Sequence, residues 1–376
     1  QQIIRDYINL YTPYRGLLIY HGLGAGKTCG SIGIAEGFRE SKQIVIMTPA
    51  SLRTNYIEEI KKCGDLLYKK NQYWEFVSVG DNIELINSLA KALNLSPRYV
   101  QQNKGAWLVN AKKPSNFQDL SQQEKQNLDH QLDEMIAHKY QFINYNGLQQ
   151  RHMQSLTQDG TVNPFDDKVI IIDEAHNLIS RIVNKLKKKS GSLSLVLYQH
   201  LMEAKNCRII LLTGTPMINY PNELGVLFNI LRGKIRTWTI KLQTKSGNKL
   251  DEPALRKILK DVKTLDYISF NVQTGMLTIT KNPLGFTSGY SSSGQYQGVQ
   301  KKDKESSEDT TEGFFARITK VLGRNNIEIA TSAEETSYVA LPDDLDSFSA
   351  YFVDSKDSSM NNKNLFQRRI IGLTSY

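Results

Sequence analysis

The sequence predicts an α/β fold, a doubly wound parallel sheet, followed by a second, smaller α+β domain of ferredoxin-like type. Three observations carry this. Over the first 235 residues, short and uniformly apolar runs alternate with amphipathic stretches, the signature of βαβ units. The first of those runs, Leu17–Tyr20, enters a glycine-rich turn, His21 to Thr28, that opens a helix. After Gly233 the rhythm changes to strand, helix, hairpin, helix, strand, the β-α-β-β-α-β order of a split βαβ unit.

In chain order, strands are expected at Leu17–Tyr20, Gln43–Thr48, Phe76–Val79, Gln141–Tyr145, Lys168–Ile172 and Arg208–Leu212. Helices are expected at Thr28–Arg39, Leu52–Cys63, Ile83–Leu93 and Asn222–Leu231. Strands this apolar along their whole length are covered on both faces, as in a doubly wound sheet. Between 96 and 140 the pattern loosens into a Gln/Asn/Lys-rich insertion with one helix, Gln122–His138. The second domain spans 236–346, its two middle strands joined at Thr274-Gly275. From 287 to 312 Ser, Gly, Gln and mixed charge read as a flexible loop. The remainder, 347–376, carries a helical stretch that reads as the start of a further domain.

At 376 residues the chain exceeds one ordinary core, so more than one domain is expected. Hydrophobic residues make up 40% and charged residues 23%, as in a soluble globular protein. No apolar run approaches the roughly 18 residues of a membrane span, and no signal-peptide pattern opens the chain. The chain starts at Gln1 in what reads as mid-element and ends in an apolar run, as a segment of something longer would. Cys29, Cys63 and Cys207 are odd in number and widely spaced, and are expected to be reduced core residues of an intracellular protein. A net charge of +9 is compatible with a polyanionic partner without requiring one.

Chemistry concentrates in four strings. The first is the turn His21 to Thr28. A phosphate chain needs converging backbone N–H groups, and Gly22, Gly24 and Gly26 remove the side chains that would obstruct them. With Ala25 they form the cradle; Lys27 then places a charge on the β/γ-phosphates of a nucleotide, Thr28 can ligate magnesium, and the helix adds its positive end. The second is VIIIDEAHN, Val169 to Asn177, in which four apolar residues deliver Asp173 and Glu174 at a strand's carboxyl end. There Asp173 can hold the magnesium and Glu174 can polarise the attacking water. In the third, LLTGTP, the hydroxyls of Thr213 and Thr215 stand where they can relay the state of the phosphate. The fourth, Thr48, Pro49, Ala50 and Ser51 with Leu52, offers a hydroxyl and a helix start to a nucleic-acid phosphate; equally, Ser51 can simply cap the helix.

In this order GLGAGKT, TPASL, DEAH and LTGTP resemble motifs I, Ia, II and III of the superfamily 2 helicases. The string TGTPMINYPNELGVLFNILRG resembles the Swi/Snf-type branch. LTITKNPLGF and NLFQRRIIGLTSY look like the helicase-like ATPases of large DNA viruses, the group of the poxvirus early transcription factor small subunit and nucleoside triphosphatase I. The resemblance implies a RecA-like first helicase lobe with an inserted domain, using ATP and Mg2+ to translocate on DNA, with RNA as the alternative, or to remodel a complex. It implies transcription-complex subunits as partners, no membrane, and the host cytoplasm or the virion as location. It assigns Lys27 and Thr28 to phosphate and magnesium, Asp173 to magnesium and Glu174 to the catalytic base. His176, Thr213 and Thr215 couple hydrolysis to nucleic acid, and Gln2 lies about where the adenine-reading glutamine belongs.

Two departures stand out. His21 replaces the first glycine of the full phosphate-loop pattern. The second lobe, with its arginine finger, has no counterpart here; Arg368 and Arg369 do not make that motif. The segment alone is therefore expected to hydrolyse ATP poorly. A non-translocating ATP-binding subunit of a transcription complex is the alternative; a metabolic kinase is argued against by DEAH followed by TGTP.

Overall fold

Apolar runs bounded by turns become the strands of one sheet. The computed structural model describes residues 6–8, 12–22, 26–38, 42–188, 192–244, 250–283, 285–291, 296–302, 310–330 and 333–375. Gln2, Gly24 and Ala25 lie outside them. The contacts divide the chain into two units, one built on Gly16–Asn219 and the other on Tyr220–Thr374.

The first unit runs β1 (Gly16–Tyr20), α1 (Lys27–Gly37), β2 (Gln43–Thr48), α2 (Arg53–Cys63), β3 (Trp74–Ser78), α3 (Ile83–Leu93), α4 (Pro97–Gln102), β4 (Gly105–Val109), α5 (Gln122–Lys139), β5 (Tyr140–Asn144), α6 (Gln150–Thr157), β6 (Lys168–Ile172), α7 (Ala175–Lys188), α8 (Leu193–Glu203) and β7 (Arg208–Thr213). Its main sheet is ordered β1-β7-β6-β2-β5, with a short sixth strand, Thr374–Ser375, beyond β1. The pairings β1/β7, β7/β6, β6/β2 and β2/β5 are all parallel. Side chains alternate between faces along a strand, yet Ile44–Met47, Val169–Ile172 and Ile209–Leu212 are buried without interruption. Both faces are therefore covered, as the α/β reading requires. Each such Ile, Val or Leu contributes about 1.5–3 kcal/mol on burial, and together they hold the strand ends rigidly in place.

Two expectations fail in this unit. The stretch Phe76–Val79 does not join the parallel sheet. Instead β3 pairs antiparallel with β4, Trp74 opposite Val109 and Ser78 opposite Gly105, in a separate two-stranded sheet. Glu75 and Phe76 are exposed, so this strand lacks the two covered faces of its neighbours. The region from 96 is also more ordered than its composition suggests. Ser96 caps α4 through Tyr99 N, and Ser121 caps α5 in a reciprocal box with Glu124.

The cysteines overturn a third expectation. Cys29 in the first turn of α1 and Cys63 at the end of α2 are joined in a disulfide, while Cys207 is free and buried. A separation of 34 residues conceals this pairing in the sequence; it arises because α1 and α2 lie side by side.

The second unit runs α9 (Asn222–Arg232), β8 (Ile235–Thr244), α10 (Glu252–Ile258), β9 (Leu265–Asn271), β10 (Met276–Lys281), β11 (Phe286–Tyr290), β12 (Tyr296–Lys301), α11 (Thr311–Arg324), β13 (Ile327–Ile329), β14 (Glu334–Tyr338), α12 (Leu345–Phe352) and α13 (Lys363–Ile370). Its sheet is ordered β13-β8-β10-β9, antiparallel in each pairing, and β14 pairs with β8 as well. A core of Trp238, Ile240, Leu255, Leu277, Phe314 and Ile318 fills the space between sheet and helices. The expected flexible loop from 287 is in part a hairpin, β11 against β12, with Thr287 opposite Gln300. Polar residues form it through backbone pairing, which composition does not report. The contacts also assign α9 and 347–374 to this unit.

Arg368 and Arg369 are structural here. Arg369 and Arg232 both lie 3.5 Å from the buried Asp266 carboxylate, which also accepts from Thr280. Arg368 stacks over the Tyr296 ring, 4.0 Å from its centroid.

Candidate active site

Parallel strands that end at one edge leave their following turns together, and this edge gathers all four strings, after β1, β2, β6 and β7. After β1 the chain turns into α1, whose N-cap, Gly26, has φ 74° and ψ 26°. A side chain there would be strained, so the glycine is required by backbone geometry. A Cβ built on Gly22 would meet no protein atom within 4 Å, which leaves open space beside the loop. Lys27 Nζ donates to His21 O at 2.8 Å and to Gly22 O at 3.4 Å, folded over its own loop. Gly214 of TGTP stands next to it: a Cβ at Gly214 would be 3.6 Å from Lys27 Nζ.

At the end of β6, Asp173 N donates to Met47 O at 2.9 Å, which carries the β2/β6 ladder one residue further. Asp173 Oδ1 accepts from Glu174 N at 3.0 Å. Glu174 itself has φ 46°, a left-handed conformation uncommon outside glycine, and it throws the chain into α7. Burial pushes the Asp173 carboxyl up from 3.8 to about 6, with the neighbouring Glu174 charge adding to the shift. The Glu174 N–H and the Lys27 ammonium act in the opposite sense, so Lys27 and Asp173 are within electrostatic reach of one another.

His176 completes the group. Its Nδ1 shares a hydrogen bond of 2.8 Å with Thr213 Oγ1 and lies 3.3 Å from Glu174 Oε2. Thr213 is fully buried, and its Oγ1 also accepts from Thr215 N at 3.0 Å. The structure thus brings together Lys27, Asp173, Glu174, His176 and Thr213, with Gly214 and Thr215 at the rim.

The fourth string follows β2 at the same edge, beside the acidic turn. Thr48 is buried, 2% exposed, at the end of β2, while Ala50 and Ser51 are exposed. Ser51 does not cap α2: Ala50–Leu52 form a 3-10 turn, and Leu52 stands at the N-cap without a side-chain hydrogen bond. A hydroxyl in the middle of a tight turn cannot reach back over the helix that follows.

Two tyrosines of the site escaped the sequence reading. Tyr145, just past β5, points its hydroxyl at Asp173 O (2.9 Å) and Glu174 O (3.1 Å), and so fastens the acidic turn after β6 to the end of β5, across the intervening β2. Tyr56 in α2 meets Ser31 Oγ at 2.7 Å, and Ser31 Oγ donates to Thr28 O at 2.7 Å. Because the Ser31 proton is committed to Thr28, Tyr56 is the donor in that pair. Both tyrosines act on main-chain or helix groups, for which no local pattern exists; their place after a strand and in a helix was the only signal.

Comparison with known proteins fits this geometry. The profile of the family described as type III restriction enzyme, res subunit, matches residues 1–218. The chain belongs to this family. Its members are helicase-type ATPases, and the resemblance to superfamily 2 helicases of large DNA viruses is borne out. A protein of Acanthamoeba polyphaga mimivirus named as an ATP-dependent RNA helicase is 30% identical over 235 residues, covering 61% of this chain and 32% of its own length. A termination factor NPH-I homologue of African swine fever virus is 26% identical over 222 residues, covering 59% of this chain and 23% of its own. Among solved structures, the SWI2/SNF2 ATPase core of Sulfolobus solfataricus in complex with dsDNA covers 61% of this chain and 33% of its own at 16% identity, with a TM-score of 0.31. This ResIII-family chain therefore spans about a third or less of the viral relatives it matches. Among its described residues no helix is long and apolar enough to cross a membrane.

Proposed function

We propose that this chain is the nucleotide-binding lobe of a nucleic-acid-dependent ATPase, which hydrolyses ATP to translocate on DNA or to remodel a nucleic-acid complex during viral transcription. The observation that carries the reading is the convergence of Lys27, the Asp173-Glu174 pair and the His176–Thr213 hydrogen bond at one sheet edge. ATP is the substrate. Its β/γ-phosphates would sit in the open space beside Gly22, below the first turn of α1, and Lys27 would exchange its bonds to His21 O and Gly22 O for phosphate oxygens.

Mg2+ prefers hard oxygen donors. Thr28 and Asp173 offer a hydroxyl and a carboxylate, and the buried Asp173 is a negative charge short of a counter-cation, so the residues fit the ion. Bound there, it would neutralise charge on the phosphates. Glu174 would orient the attacking water and accept its proton, held in place by its left-handed turn and by Tyr145. His176 and Thr213 would pass the state of the phosphate to the TGTP turn, and the exposed Ala50-Ser51 turn would meet a nucleic-acid backbone.

A second reading is favoured by the swine fever virus relative, which is named as a termination factor homologue. Under it the lobe uses ATP to fix a conformation inside a transcription complex without moving along DNA. The full-length protein decides. ATP turnover that rises with DNA length and is accompanied by displacement of a bound oligonucleotide supports the motor. Turnover that ignores DNA supports the switch, and its absence with and without DNA removes both.

A further inference from the structure

The disulfide joins two elements with different proposed tasks. Cys29 follows Thr28 directly, in the turn of α1 that faces the nucleotide phosphates, and Cys63 ends α2, the helix that follows the Ala50-Ser51 turn. Their Cα atoms are 5.7 Å apart and both residues are half-buried, open to small solutes. Glu59 Oε2 lies 3.4 Å from Cys29 Sγ, and Lys62 Nζ pairs with Glu59 Oε1 at 2.8 Å, so the sulfurs sit at the margin of the core with charged groups beside them. A staple for stability has little purpose here, because the unit already has a large continuous core around the five parallel strands. The same two helices are also linked by the Tyr56–Ser31 hydrogen bond, which does not involve the sulfurs.

We propose that Cys29 and Cys63 form a reversible thiol–disulfide site that governs nucleotide turnover at Lys27 and Thr28. The bridge opens by exchange with a low-molecular-weight thiol. Its thiolate attacks one sulfur and expels the other cysteine as a thiolate, and a second thiol then releases the mixed disulfide. Two protein thiols form, and the two small thiols leave as their disulfide. Oxidised, the bridge locks the first turn of α1 to the end of α2, so the phosphate-reading helix cannot shift against the helix on the nucleic-acid side. Reduced, the pair keeps only the hydrogen-bonded link and regains that motion. The bonded state is thus the slow one. The effect on turnover rests on the ATPase reading above, whereas the exchange itself does not.

The test uses the full-length protein equilibrated in glutathione buffers from reducing to oxidising. Alkylation followed by peptide mass spectrometry reports the bridge, and ATP turnover with and without duplex DNA reports the consequence. We expect the bridge to titrate and DNA-stimulated turnover to fall by about fivefold or more on oxidation, the lower range of coupling between sites. Cys29→Ser and Cys63→Ser should each hold the rate of the reduced protein at every poise. A bridge that never forms, or that never opens in the folded protein, overturns the inference. So does equal turnover in the two verified states. A protein inactive in both states overturns the ATPase reading and this proposal with it, while one equally active in both overturns this proposal alone.

Discussion

His176 Nδ1 and Thr213 Oγ1 stand 2.8 Å apart, and this hydrogen bond ties the turn after β6 to the end of β7. Thr213 is completely buried, and the same oxygen receives the N–H of Thr215. One hydroxyl therefore holds both the histidine of DEAH and the TGTP turn. His176 and Thr215 thus meet at a single side-chain oxygen.

Thr213→Val tests that relay. The substitution keeps the shape but strands the Thr215 N–H and frees His176, at a cost of about 1–3 kcal/mol. In the full-length protein, basal ATP turnover should survive and its stimulation by DNA should fall about tenfold, a coupling loss in the usual range. Turnover measured with and without DNA checks this; intact stimulation would remove Thr213 from the coupling path.

Lys27→Ala and Glu174→Gln separate binding from chemistry. Lys27 supplies the charge at the cradle, so its loss should abolish binding of a fluorescent ATP analogue. Glu174→Gln keeps the shape and the cradle, so the analogue should still bind while hydrolysis drops by about 10²–10⁴, the usual worth of a general base. Normal hydrolysis by Glu174→Gln would take the base role away from that carboxylate.

Tyr145→Phe removes the hydroxyl and keeps the ring. The hydroxyl now bridges the carbonyls of Asp173 and Glu174, where the backbone at Glu174 is left-handed. Losing it should destabilise the unit by about 1 kcal/mol. It should also lower kcat more than it raises KM, since the water-orienting carboxylate is displaced while the cradle is untouched. A variant with wild-type kcat and a lower Tm would reduce Tyr145 to a purely structural brace.

Much of this site is legible in the sequence, because its parts are local. Glycines before Lys27, acids after four apolar residues and hydroxyls after β7 each declare themselves within a few positions of a strand end. What stayed hidden depends on partners far along the chain. Tyr145 bonds carbonyls, which every residue has, and Tyr56 reaches α1 only because two helices are adjacent. Cys29 and Cys63 look like isolated thiols until those same helices meet. For β3 the strand itself was readable, but a run of five residues does not name its partner, and β4 lay in a stretch whose polar composition masked it. The β11/β12 hairpin was missed for the same reason, since its pairing is carried by backbone groups that Ser and Gly possess as fully as Val.

Asp173 gives the remaining prediction, and its sign follows from burial. The folded carboxyl titrates near 6, above its ordinary 3.8, because desolvation and the Glu174 charge oppose ionisation. Between these two values the folded state holds more protons than the unfolded one, so stability falls as pH rises through that window, and the penalty is complete above it. Asp173→Asn removes the penalty while its side-chain oxygen can still accept from Glu174 N. In the full-length protein, without nucleotide or divalent cation, this variant should be more stable than the wild type at pH 7.5 by on the order of 2 kcal/mol. At pH 4.5 most of the difference should vanish, because the wild-type carboxyl is then protonated in the folded state. Thermal melting at the two pH values checks both halves. Adding Mg2+ and ATP at neutral pH should raise the wild-type Tm more than that of the variant, because only the wild type offers the ion a carboxylate. An equal gain in both proteins would move the ion away from Asp173, and an unchanged Tm for the variant at pH 7.5 would mean that Lys27 already neutralises the carboxylate without help from a cation.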